Sequence, residues 1–148
     1  MLKISLIIDD GGRAAAGFRG HTGDCAARAA AIATGLPYKQ IYEAINLIAM
    51  NERPRKRARP SNARTGVHTW TLNTLLEMHG FKWTPTMTVG SGCKVHLRAD
   101  ELPSGIIITR LSKHYAAVID GVLHDTHDSS RDGTRCVYGY WSKESSTV

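Results

Sequence analysis

A cysteine stands at the predicted start of an alanine-rich helix, in the stretch TGDCAARAAAIATG of residues 22–35. Asp24 is a suitable N-cap, which would place Cys25 in the first turn of a helix that runs to about Thr34, with Gly35 in the left-handed position after its end. A helix N-terminus stabilises a thiolate through its dipole and unpaired amides, and the Cys25 amide could also donate to a developing oxyanion. Cys25 is therefore a candidate nucleophile, although the charge of Asp24 opposes thiolate formation unless Asp24 is occupied in capping. The alternative is a small core residue, since free cysteines are among the most buried residue types.

A histidine and a carboxylate that could serve this cysteine lie in the stretch SKHYAAVIDGVLHDTHD, residues 112–128. The dipeptide Asp120-Gly121 between two β-rich runs is typical of a two-residue hairpin turn. With this turn at the centre of the hairpin, His114 is a diagonal neighbour of Asp125 on the same face, at about 7 Å between Cβ atoms. The register therefore predicts that Asp125 orients the His114 ring.

The same register places His127 directly opposite His114 and turns Asp128 to the other face of the hairpin. The alternative is a surface hairpin whose polar residues happen to alternate. A metal site is the weakest interpretation, because neighbouring residues of a strand face opposite sides and the donors of HDTHD cannot all converge: His124, Asp125, His127 and Asp128. We therefore expect no metal and no other cofactor.

The elements that would position these residues are helices first and strands afterwards. A second helix is expected to begin at Pro37, since apolar residues recur on one face: Ile41, Ala44, Ile45 and Ile48. A third should run from about Thr69 to Met78, with three leucines directed inward: Leu72, Leu75 and Leu76. Short β-rich runs follow: KVHLR, GIIITRL, HYAAVID, VLHDT and CVYGYW. This order indicates an α+β domain, preceded by a short strand or lead-in at MLKISLII.

Length and composition predict one ordinary globular domain over residues 1–148, with 42% hydrophobic and 22% charged residues. The sequence has neither an 18-residue apolar run nor a secretory signal, so we expect no membrane partner. Cys25, Cys93 and Cys136 are odd in number and far apart, which predicts no disulfide framework, and the absence of a C-x-x-C pair argues against structural zinc. We interpret Cys93 and Cys136 as structural and expect a cytoplasmic location.

The net charge of +6 is concentrated in one segment. Residues 51–64 hold six basic residues and one acidic residue, whereas the rest of the chain is nearly neutral, with 13 basic and 12 acidic residues. Two prolines predict a loop at about 51–66. Five cations of this loop could form a contact surface: Arg53, Arg55, Lys56, Arg57 and Arg59. Through residues 53–64 they could bind nucleic acid or an acidic partner, or they could recruit acidic substrates if the loop borders a cleft. The alternative is that these side chains are only solvated.

Taken together, these patterns resemble the papain-like cysteine peptidases, in which a helix-start cysteine precedes a sheet that carries the histidine. The return strand ending in HDTHD is more similar to the peptidases that trim bacteriocin leaders, where an aspartate completes the triad. Small phage- and prophage-encoded papain-like proteins resemble the chain through GDCAARAAAIATG and HYAAVIDGVLHDTHDSSRDGTRCVYGYW. The resemblance covers about residues 18–141 and implies N-terminal helices packed on a C-terminal antiparallel sheet.

The resemblance also implies an activity and the residues that perform it. Cys25 would be the nucleophile, His114 the base and Asp125 the orienting group of a thiol hydrolase that cleaves a peptide, isopeptide or amide bond through a thioester. The family's oxyanion glutamine normally precedes the cysteine by six residues, where this chain has Arg19, so Arg19 and His21 are the candidate side-chain donors. The alternative function is a catalytically inactive papain-like domain that binds nucleic acid or a protein partner through the basic loop.

Overall fold

The computed structural model describes residues 4–20, 22–88 and 90–143 and has an α+β architecture, as the element order predicts. Within these residues, one short strand comes first, three helices follow it, and the other five strands come after the helices. The helices are α1 (Cys25–Thr34), α2 (Tyr38–Met50) and α3 (Thr69–Met78). The strands are β1 (Ser5–Ile8), β2 (Phe81–Pro85), β3 (Ile106–Leu111), β4 (His114–Ile119), β5 (Val122–Asp125) and β6 (Gly139–Lys143), with a short 3-10 helix at Ala99–Glu101.

The six strands form one sheet in the order β1-β5-β4-β3-β6-β2. The expectation of an antiparallel sheet was wrong at one edge, because β1 pairs with β5 in parallel, whereas the other neighbours are antiparallel. The N-terminal strand reaches this edge before the chain enters α1, and its backbone covers the outer side of β5. The end of β5, where Asp125 lies, is thereby paired on this side to Ile8.

The hairpin of β4 and β5 has the register that the sequence predicts. Ile119 pairs with Val122, and Ala117 pairs with His124. Asp120 and Gly121 both have positive φ angles, 47° and 76°, as a type I′ turn requires at its two central residues. This turn fixes which side chains of the two strands lie together.

The strands in the second half of the chain differ from expectation at three places. Strand β2 (Phe81–Pro85) was not predicted: its sequence FKWTP alternates apolar and polar residues, but the run is short and ends in proline, as an edge strand can. The run KVHLR is not a strand; it makes one isolated bridge, from His96 to Cys136. The run CVYGYW becomes a strand only at Gly139, where pairing with β2 and β3 begins.

The core lies on both faces of the sheet. On one face the three helices pack against the centre of the sheet, with the alanines of α1 buried together with Ile108, Ala117 and Trp141. Because these alanines have no bulk, α1 lies close to β4, the strand that begins at His114. On the other face, residues from the irregular segments, among them Leu97 and Val137, cover the sheet. The start of α1 and the start of β4 are thus held together by the core.

A disulfide joins Cys93 to Cys136, so the expectation of no disulfide framework was wrong for these two cysteines, whereas Cys25 is free. The two segments lie side by side because Val137 donates to the Val95 carbonyl at 2.8 Å and Leu97 donates to the Arg135 carbonyl at 2.9 Å. Pairing over such a sequence distance leaves no local sequence signal. The argument for a reducing compartment, and with it for the cytoplasm, loses its support from the cysteines. Within the described residues, no helix has the length and apolarity needed to cross a bilayer.

Candidate active site

Cys25 is the first residue of α1. Its thiol is free, whereas the other two cysteines form a disulfide. Its side chain is partly buried and makes a hydrogen-bonding contact with His114, and the Tyr115 amide donates to its sulfur. Both partners belong to the start of β4, which packs against α1. The close approach that the alanine-rich helix allows therefore brings a thiol to an imidazole from the other half of the chain.

His114 is in turn held by Asp125. Its Nε2 atom lies 2.7 Å from Asp125 Oδ2, and the Asp125 side chain is only 4% exposed. The carboxylate also accepts hydrogen bonds from the Thr126 amide at 2.7 Å and from the Ser129 hydroxyl at 2.8 Å. Since Nε2 faces Asp125, Nδ1 is the ring nitrogen left for Cys25. The structure thus brings together the three residues that the sequence singled out.

These contacts change the proton affinities of the site. Burial raises the pKa of Cys25, but the hydrogen bond and charge of His114, together with the Tyr115 amide and the charge of Arg28, outweigh it and lower that pKa below 9.0. Burial lowers the pKa of His114, but the hydrogen bonds and charges of Asp125 and Cys25 raise it to about 9. Both changes favour the same state, a thiolate beside an imidazolium.

Burial also raises the pKa of the Asp125 carboxyl. This effect is outweighed by His114, by the Ser129 hydroxyl and by the Thr126 amide, so that the pKa lies below the usual 3.8. The carboxylate is therefore ionised at neutral pH and can hold a positively charged ring.

Asp24 does not cap α1 with its side chain, contrary to expectation. Its fully buried carboxylate is instead bound by Arg28, by Arg13 at 3.3 Å from Nε, and by the Tyr38 hydroxyl at 2.5 Å. Two arginines neutralise the charge that was expected to oppose the thiolate. The first-turn amides of α1, which have no carbonyl partner within the helix, are left without a side-chain cap beside Cys25.

Two further residues position the site, and sequence reasoning missed both. The Ser129 hydroxyl donates a hydrogen bond to Asp125, as described above. Arg135 donates hydrogen bonds through its two terminal nitrogens to the carbonyls of Ser112 and Ser129. Arg135 thereby ties the loop after Asp125 to the turn before His114. Neither residue has a periodic spacing from Cys25, His114 or Asp125, so no sequence pattern could have identified them.

The site opens onto a cleft of about 720 Å³. Its lining includes Cys25 and His114, the segment from Thr65 to Trp70, the turn around Lys113, Arg110, Tyr115 and Tyr138. Arg19 does not line this cleft; its side chain is exposed and its carbonyl accepts a hydrogen bond from Arg64. His21 lies outside the described residues. The uncapped first-turn amides of α1, including that of Cys25, remain candidate donors for an anion in the cleft.

Three potential metal ligands also meet at this place. Donor atoms of His114, Asp125 and His127 lie within 4.8 Å of one another, whereas His124 faces Asp9 at 3.9 Å. The four donors of HDTHD do not converge, as expected, but His114 from the facing strand completes a set of three. Both ring nitrogens of His114 are engaged, with Asp125 and with Cys25, so a metal held by all three ligands would displace one of these contacts.

The five basic residues singled out in the segment between α2 and α3 are exposed: Arg53, Arg55, Lys56, Arg57 and Arg59. The Arg55 guanidinium lies 4.0 Å from the ring centre of Trp70, and the His68 ring stacks on Trp70 at 4.2 Å. Trp70 lines both the cleft of Cys25 and an adjacent cavity of about 530 Å³ that Arg53, Arg55 and Arg59 also line. The basic segment therefore borders the cleft.

Comparison with family models, with curated proteins and with solved structures finds no match for this chain.

Proposed function

We propose that this protein is a papain-like cysteine hydrolase that cleaves a peptide, isopeptide or amide bond. The observation that carries the proposal is the chain of contacts from Cys25, at a helix start, to His114 and from His114 Nε2 to the buried Asp125 at 2.7 Å. A thiolate is a strong nucleophile only when its pKa is lowered, and the imidazolium beside it supplies the proton that a leaving amine needs. A structural cysteine in the core would need neither partner.

In the acylation step, the Cys25 sulfur attacks the carbonyl carbon and forms a C–S bond, and the carbonyl electron pair moves to oxygen. The oxyanion is stabilised by the amides at the start of α1, including that of Cys25. Collapse of this intermediate breaks the C–N bond, and the leaving amine takes the proton from Nδ1 of His114. The product is a thioester on Cys25 and a neutral imidazole.

In the deacylation step, His114 accepts a proton from water, and the hydroxide formed attacks the thioester carbon. Collapse then breaks the C–S bond, releases the carboxylic acid and restores the thiolate beside the imidazolium. Asp125 orients the ring throughout and stabilises its charge, while Ser129 and Arg135 hold the loop in place. No step requires a cofactor.

The experiment that tests the proposal uses peptides derived from a whole proteome. These peptides are incubated with the wild type and with Cys25→Ala, and new N-termini are identified by mass spectrometry. We expect termini that form only with the wild type, and an acyl adduct on Cys25 when the reaction is quenched in acid. Identical products from both proteins would exclude peptide hydrolysis at this site.

A second candidate function is binding of nucleic acid or an acidic protein through the basic segment. It is favoured by the exposure of the five cations and by the stacking of Arg55 on Trp70, an arrangement that also suits bases or anionic side chains. Binding of a labelled single-stranded DNA would then fall steeply with salt and would be lost in a variant with Arg55 and Arg57 replaced by glutamine, but not in Cys25→Ala.

A further inference from the structure

Among the arginine, lysine, aspartate and glutamate residues of the described chain, only basic ones line the cleft. Arg110 and Lys113 lie on its wall, His68 and His114 are its imidazoles, and no aspartate or glutamate is among its lining residues within the described chain. An acidic residue, Glu52, lies in the adjacent cavity, where its carboxylate accepts a hydrogen bond from Thr71 at 2.7 Å. Asp125 neutralises the His114 ring from behind, at 2.7 Å, so a substrate in the cleft meets Arg110 and Lys113 as its cations, with no carboxylate among the described lining residues.

Arg110 is the more constrained of the two cleft cations. It belongs to β3, directly across from Tyr115 of β4, and it is partly buried. Its guanidinium lies 5.9 Å from the ring centre of Tyr138, and its backbone carbonyl accepts a hydrogen bond from the Tyr138 amide at 2.9 Å. None of the ion pairs between described residues involves Arg110. A partly buried guanidinium near an aromatic ring and without a carboxylate partner offers a two-pronged donor to an incoming carboxylate.

Lys113 adds a second positive charge to the lining of the cleft. It occupies the tight turn between β3 and β4 with a φ of 55°, and it immediately precedes His114. Its side chain is exposed and, within the described residues, also takes part in no ion pair. Arg55 lies over Trp70, which lines the cleft, and adds to the positive potential at its border.

We propose that the substrate of this site carries an acidic side chain next to the scissile bond, and that Arg110, assisted by Lys113, binds its carboxylate. This inference rests on the proposed hydrolase function and specifies its substrate class. The acylation and deacylation steps are unchanged, since the two cations only select and orient the chain that presents its carbonyl to Cys25.

The first test compares two alkylating reagents that differ in charge and needs no peptide substrate. Iodoacetate, which is negatively charged, and iodoacetamide, which is neutral, both alkylate free thiols such as Cys25. The rate with iodoacetate divided by the rate with iodoacetamide therefore reports the electrostatic preference of the cleft. Arg110→Gln should lower this ratio about two- to fivefold, the effect of one partly exposed charge pair. Lys82→Gln is the matched control, because Lys82 is exposed on β2 and does not line the cleft. The difference between the two variants should shrink in 1 M salt.

The second test uses amidated peptides that contain either glutamate or glutamine beside the cleaved bond, and a third peptide with glutamine and a free C-terminal carboxylate. We expect a higher kcat/KM for the glutamate peptide, and loss of that preference in Arg110→Gln. A preference for the free C-terminus alone would overturn an internal acidic residue in favour of a terminal carboxylate.

The outcomes separate this inference from the proposed function. If Cys25 reacts slowly with both reagents, the hydrolase proposal fails. If Cys25 reacts fast with iodoacetamide but Arg110→Gln and Lys82→Gln give the same reagent ratio, the hydrolase proposal stands and the acidic-substrate inference is overturned. A charge reversal, Arg110→Glu, provides a second check, since it should invert the preference between the glutamate and glutamine peptides.

Discussion

Replacement of Asp125 by asparagine removes one charge from the site and keeps the size of the side chain. The pKa of His114 is raised from 6.5 to about 9, a difference that corresponds to about 3 kcal/mol in favour of the imidazolium. Burial opposes this shift, and Asp125 contributes the largest of the effects that favour the charged ring, ahead of Cys25. Asp125→Asn should therefore lower the pKa of His114 by more than about one unit.

The assay is an NMR titration of the histidine ring signals, with the His114 signal assigned by its absence in His114→Ala. Asp128→Asn is the matched control, because Asp128 lies in the same loop and accepts hydrogen bonds from the Ser130 amide and hydroxyl. If the pKa of His114 changes no more in Asp125→Asn than in Asp128→Asn, the hydrogen bond to Asp125 does not set the charge of the ring.

The same shift predicts the pH dependence of catalysis. The active ion pair exists above the lowered pKa of Cys25 and below the pKa of His114, which is about 9. Hence kcat/KM should rise as the pH passes through the pKa of the thiol and fall as it passes about 9. In Asp125→Asn the alkaline limb should move to lower pH, because the imidazole then loses its proton earlier.

Three further variants test how the structure holds the site. Ser129→Ala removes one hydrogen bond to Asp125 and should lower the free energy of unfolding by about 1 kcal/mol, measured by urea denaturation. The same variant should also lower the rate of Cys25 alkylation at pH 6. Asp24→Ala leaves two arginines and a tyrosine hydroxyl without their shared acceptor, and it should lower the free energy of unfolding by about 3–5 kcal/mol in the same assay. A decrease of less than about 1 kcal/mol would contradict the stabilising role of the contacts around the Asp24 carboxylate. Opening the disulfide by Cys136→Ser, which removes a cross-link between residues 43 positions apart, should lower stability by at most about 4 kcal/mol, and dithiothreitol should destabilise the wild type but not this variant.

The parts of the fold that could be predicted are those with a local periodic signal. The leucines of α3 recur on one face, a pattern that predicts a helix. Its predicted bounds, about Thr69 to Met78, agree with the structure. The hairpin register could be predicted because a two-residue turn and a period of two together determine which residues pair. That register brought Asp125 to His114, and this contact is the strongest link between the sequence and the site.

The parts that could not be predicted depend on contacts between distant segments. Asp24 is a good N-cap by residue type, but two partly buried arginines and Tyr38 bind its buried carboxylate instead. The disulfide forms because two irregular segments lie side by side, and Arg135 acts from a loop without periodicity. Strand β1 joins the sheet in parallel, although its sequence does not reveal which edge it meets.

The most direct test of the ion pair is the rate of Cys25 alkylation by iodoacetamide between pH 4 and 9, in the wild type and in His114→Ala. The other two cysteines form a disulfide, so the adduct reports Cys25. Each unit by which the thiol pKa is lowered raises the thiolate fraction at pH 6 about tenfold. The wild type should react much faster at pH 6 than an ordinary thiol, and His114→Ala should lose this reactivity because burial then raises the pKa of Cys25. Equal, slow rates in both proteins would contradict the thiolate–imidazolium pair and with it the proposed catalytic site.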